Sequence, residues 1–119
     1  MPKYAFLLYD DPANAHPMDS PEMAEEMQAW FTFTEEIQTA GAMLGGEALL
    51  GTETATCVRV REGSTVTADG PFAETKEALG GFYLVEAADL DEAIAWAEKV
   101  PNVGKGTVEI RPIMEIPED

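Results

Sequence analysis

Tyr4-Ala5-Phe6-Leu7-Leu8-Tyr9 is apolar at every position. Pleated as a strand, it turns Tyr4, Phe6 and Leu8 to one side and Ala5, Leu7 and Tyr9 to the other, so neither face is suited to water. Such a strand belongs in the middle of a sheet covered on both sides. The segment from Gly80 to Ala87 repeats the pattern, with Phe82 and Leu84 alternating with Tyr83 and Val85.

Working outward from these two segments, a turn-rich loop over 10–19 contains Pro12, Asn14 and Pro17. Ser20-Pro21-Glu22 then opens a helix: serine caps, proline suits the first turn, and the acid meets the positive end of the dipole. The spacing predicts a helix from Pro21 to about Ala40, with Met23, Met27, Trp30, Thr34 and Ile37 on one stripe, widened by Phe31 and Phe33. Gly41 stops it. A strand is expected over 43–50, where Gly45-Gly46 signals a bulge or a close backbone approach. Strands over 54–61 and 65–68 flank the turn Glu62-Gly63-Ser64, and Asp69-Gly70-Pro71 breaks the chain. Asp89 and Glu92 form a capping box for a second helix running to about Lys99. That helix is expected to bury Leu90, Ala93, Ile94, Ala97 and Val100 before Pro101 ends it. A last strand over 107–116 turns Val108, Ile110 and Met114 one way and Thr107, Glu109, Arg111 and Ile113 the other.

This order gives an α+β fold, a ferredoxin-like split βαβ with an inserted hairpin. Two helices cover one face of a sheet, yet two strands are apolar on both. An identical sheet from a second copy is the simplest cover, so the pattern predicts a homodimer.

The 119 residues fit one domain over 1–119. With 45% hydrophobic and 25% charged residues, the composition is that of an ordinary globular chain. One cysteine, Cys57, and one histidine, His16, exclude an intrachain disulfide framework, a multi-cysteine zinc site and a multi-histidine metal site. No metal or cofactor is expected. The net charge is −16, with −9 in residues 1–54 and −7 in the remainder, so the excess is not an acidic tail. Nucleic acid and anionic lipid are therefore unexpected partners. The N-terminal apolar run is too short for a membrane span and lacks a cleavage pattern. A cytoplasmic location is expected, in keeping with a lone thiol.

The segment Asp69-Gly70-Pro71-Phe72-Ala73-Glu74-Thr75-Lys76-Glu77, followed by Leu79-Gly80-Gly81-Phe82-Tyr83, closely resembles the signature of the YCII-related, DGPF-domain family. Four further blocks are similar to that family: Lys3 to Asp11, Gly45 to Leu50 with Thr54 to Thr56, Asp89 to Trp96, and Val108 to Pro112. The resemblance implies a dimeric α+β barrel, in which two ferredoxin-like sheets face each other. Related members outside the DGPF branch include small-molecule enzymes, such as a dehydrochlorinase, that carry a histidine–aspartate pair on the first helix and nearby. Here the expected first helix has no histidine; His16 lies in the loop before it.

The charged turn has two readings. As architecture, Gly70-Pro71 shapes it, Phe72 anchors it, and Lys76 pairs with Glu74 or Glu77. As a pocket lip, Asp69 serves as general base and Lys76 as an anion site. Arg111 is the candidate for binding a carboxylate, with Arg59, Glu74 and Tyr83 as further ligand contacts. The alternative for Arg111 is an ion pair with Glu109. Cys57 is expected as a buried small hydrophobe, and His16 as a loop residue or a lid group. The function expected is cofactor-free lyase or isomerase chemistry on an unknown small molecule, in a pocket at the dimer sheet. The alternative is a non-catalytic ligand-binding or regulatory module acting with a partner protein.

Overall fold

The computed structural model describes residues 1–117. Strand β1 (Lys3–Asp10) leads through a short 3-10 turn to helix α1 (Pro21–Thr39), and strand β2 (Met43–Ala48) follows. A hairpin of β3 (Thr56–Arg61) and β4 (Ser64–Asp69) precedes β5 (Ala78–Glu86), α2 (Leu90–Ala97) and β6 (Thr107–Pro112). The main sheet runs β2-β5-β1-β6, antiparallel at each pairing. Each β-α-β unit, β1-α1-β2 and β5-α2-β6, leaves a gap that a strand of the other fills. This is the expected ferredoxin-like α+β fold.

Both helices lie on one face because that face alone is fully apolar. Phe6, Ile37, Val85 and Val100 are completely buried there, with Tyr4, Leu8, Phe33, Ala93 and Ala97 around them. Each large side chain so buried stabilises the fold by roughly 1.5–3 kcal/mol. β2 carries a bulge at Leu44, just before its double glycine, and a close backbone approach at Gly46. Register slips between Met43 and Gly45, and a side chain at Gly46 would meet the Phe82 carbonyl at 2.7 Å.

The structure corrects several sequence expectations. Phe31 and Met27 are exposed; the buried stripe of α1 is Trp30, Phe33, Thr34 and Ile37, about 100° around the helix from Phe31. Leu90 and Ile94 of α2 are also exposed, because the small Ala93 and Ala97 form the contact that brings α2 close to the sheet. β2 ends at Ala48, and β3 begins at Thr56 after a 3-10 turn over Thr52–Thr54. β6 ends at Pro112, which has no N–H to donate to a ladder, and leaves Met114 exposed. The hairpin forms its own two-stranded sheet, so Cys57 is half-buried at its base rather than in the main sheet. There its thiol donates to the Gly70 carbonyl at 3.2 Å.

Candidate functional site

Antiparallel register decides which side chains share the face away from the helices. Glu47 lies opposite Phe82, Phe82 opposite Leu7, and Leu7 opposite Glu109. Directly opposed residues share a face, so these four form one row across the sheet, an apolar centre with a carboxylate on each edge strand. The next row runs Gly45, Leu84, Ala5 and Arg111. Leu7, Phe82 and Leu84 are half-buried, and no helix of the described chain lies over them.

At the β6 edge of this face three polar groups converge. Arg111 Nη1 stands 3.6 Å from Glu109 Oε2. Tyr9, one alternation along β1 from Leu7, reaches the same pair: burial first, and then the Glu109 carboxylate, push its phenol above the ordinary value, while Arg111 pulls the other way. A phenol, a carboxylate and a guanidinium thus share one edge of an apolar floor.

A second cluster lies at the end of β1. Asn102, only 5% exposed, donates from Nδ2 to the Tyr9 carbonyl and to Asp10 Oδ2, both at 3.3 Å. Its Oδ1 is buried and has no partner among the described residues. Burial raises the pKa of Asp10; the nearby carboxylates of Glu26 and Glu77 add to this, and the Asn102 hydrogen bond and Lys105 oppose it. Gly106 is required here, because a side chain would collide with the Tyr9 carbonyl and the Asp10 carboxylate. Thr107 Oγ1 donates to Glu77 Oε1 at 2.8 Å, tying the end of the DGPF segment to β6. His16 Nε2 lies 3.9 Å from Glu26 Oε2. No group of three or more metal-ligating side chains converges among the described residues.

Of the residues singled out from sequence, Arg111 meets Glu109, and it lies on the open face as the alternation of β6 predicts. Tyr83 is on the other face. Its hydroxyl hydrogen-bonds to Thr34 Oγ1 at 2.8 Å, and its ring stacks on Trp30 and meets the edge of Phe33. Arg59 projects from the hairpin and is exposed. Asp69, at the end of β4, and Glu74 and Lys76, in the following loop, are exposed and make no side-chain hydrogen bond or ion pair among the described residues. Two hollows of about 390 and 470 Å³ open on the helix side, where Trp96 and Ala40 line both, and neither includes these residues. Tyr9 reads from sequence only as one more apolar strand position, and Asn102 carries no local pattern; a pairing of β1 with a segment 100 residues away is needed to see either.

No helix of the described residues is long and apolar enough to cross a membrane. The profile of the YCII-related domain matches residues 2–117. The chain is also 36% identical over 112 residues to an uncharacterised protein of Rhizobium meliloti (strain 1021), covering 92% of this chain and 90% of that protein. On these two matches, with the DGPF segment between β4 and β5, the chain belongs to the YCII-related domain family.

Proposed function

We propose that this protein works as a cytoplasmic homodimer, and that the Tyr9–Glu109–Arg111 face is the floor of a pocket for a small carboxylate-bearing molecule on which it performs cofactor-free lyase or isomerase chemistry. The observation behind this reading is the make-up of that face: a half-buried apolar row with a phenol, a carboxylate and a guanidinium at one edge. Cover from a second copy would exclude water and strengthen every polar contact inside. Arg111 would take the substrate carboxylate in bidentate fashion. Glu109, freed from Arg111 by that exchange, would remove a proton from the adjacent carbon. Tyr9 keeps its proton at neutral pH and would donate it toward the oxygen on which charge develops. Asp69, Glu74 and Lys76 would form the lip, with Lys76 as a second anion contact and Asp69 as an alternative base. With a net charge of −16, the partners are small molecules and a second copy, not nucleic acid.

A screen of small oxo- and hydroxy-carboxylates tests this reading, by thermal shift together with α-proton exchange in deuterated water followed by NMR. Binding to the native state raises Tm by mass action. At least one compound should raise Tm in wild type and exchange its proton. Arg111→Met should lose the Tm gain, and Glu109→Gln should keep binding but lose exchange. If no carboxylate raises Tm at millimolar concentration, the reading fails. The ligand-binding alternative is favoured by one observation, that Asp69 and Lys76 have no positioning contact among the described residues. Binding without exchange in wild type would select it.

A further inference from the structure

The β3–β4 hairpin stands apart from the sheet it interrupts. Every residue from Val58 to Asp69 is exposed, and the bonds at its base, from Gly70 N–H to the Ala55 carbonyl and from the Cys57 thiol to the Gly70 carbonyl, close the hairpin on itself. A two-stranded hairpin left alone in water is marginal at best. Yet this one has a regular register of six cross-strand pairs and carries apolar side chains on both faces: Val58 (63% exposed) and Val60 (61%) on one, Val66 beside Arg59 on the other. Its charge also departs from that of the molecule. In a chain of net charge −16, the hairpin is neutral, with Arg59 and Arg61 balancing Glu62 and Asp69, and its two arginines share the Val66 face while Asp69, paired with Thr56, lies on the other.

Resting on the homodimer reading above, we propose that this hairpin is an arm exchanged between two copies, and that it lays Arg59, Val66 and Arg61 on the partner's Glu47–Phe82–Leu7–Glu109 row. The two surfaces match in chemistry. The arm presents a valine among guanidinium groups, and the row presents two apolar side chains between carboxylates. A two-fold axis repeats the contact, so each arm is covered and each open face gains cover. Arg59 then stands in the partner's site, beside the partner's Arg111, as a further anion contact supplied by the other copy.

Charge reversal in two halves tests the pairing. One variant carries Arg59→Glu and Arg61→Glu on the arm; the other carries Glu47→Arg and Glu109→Arg on the face. Like charges opposed at an interface weaken it strongly. Each variant alone should dimerise at least about tenfold more weakly than wild type in sedimentation, with its circular dichroism unchanged. A mixture restores opposite charges at both contacts and should recover a heterodimer near wild-type affinity. If both variants dimerise like wild type, or neither recovers on mixing, the arm contact is wrong while the dimer stands. If wild type itself is monomeric at tens of micromolar, the homodimer reading fails and this one with it. Should a variant misfold, amide exchange of wild type decides. Val58 to Thr67 should be protected at high concentration and lose protection on dilution; arm amides that exchange equally fast in dimer and monomer overturn the proposal.

Discussion

Asp10 shows how one residue's surroundings set a measurable property of the whole fold. Its carboxyl is raised by burial and by Glu26 and Glu77, with Asn102 and Lys105 acting the other way. The native state therefore holds the Asp10 proton more firmly than the unfolded chain does. Stability contributed by this group is lost as pH rises from the ordinary carboxylate value through the raised one, and is regained as pH falls. Asp10→Asn removes the charge and keeps an acceptor for Asn102 Nδ2. The variant should be more stable than wild type at neutral pH, by less than about 1 kcal/mol because solvent screens a partly exposed group. Urea unfolding across mildly acid to neutral pH should show that advantage shrinking toward acid. An advantage that grows toward acid would contradict the sign.

The elements are held by local devices that read directly from the chain. Ser20 Oγ accepts the Met23 N–H at 3.2 Å, as the Ser20-Pro21-Glu22 start predicts for α1. Asp89 Oδ1 accepts the Glu92 N–H at 2.9 Å, and Glu92 Oε1 reaches back to the Ala88 N–H at 3.3 Å. Removing either cap should cost about 1 kcal/mol. The cost should be larger for Asp89→Ala than for Ser20→Ala. α2 is only 8 residues against 19 for α1, so one lost bond is a greater share of its hydrogen bonding, and the aspartate also complements the dipole. Denaturant midpoints of the two variants check the order; equal or reversed losses would mean that packing of Ala93 and Ala97 alone sets α2. The hairpin register is also local, since Glu62 and Gly63 both adopt positive φ at the turn.

At the scale of the whole molecule, the chain is a slab of 50 × 48 × 19 Å with its helices on one side and a half-apolar sheet face on the other. Burying that face against a second copy is the physical basis for expecting a homodimer. Sedimentation equilibrium at tens of micromolar should give about twice the 12.9 kDa of one chain. Phe82→Asp should return the mass to that of one chain while circular dichroism stays unchanged, because Phe82 faces away from the helix-covered core. A wild-type mass of 12.9 kDa at that concentration would leave the open face uncovered and remove the dimer.

The sequence alone determined the order of the elements, the α+β class, the caps of both helices and the family, because each is written in periodicity or in a contiguous motif. It also placed Arg111 opposite Val108 and Ile110, since alternation along a strand is local. Only the tertiary structure decided that Tyr9 shares an edge with Glu109 and Arg111, that Asn102 serves Asp10, that Tyr83 belongs to the helix contact, and that the β3–β4 hairpin leaves the main sheet. The first of these depends on the register of β1 with β6, and the others on contacts between segments far apart in the chain or on which strands pair. A one-residue change of register turns a side chain to the opposite face, and no local pattern records where such a shift falls.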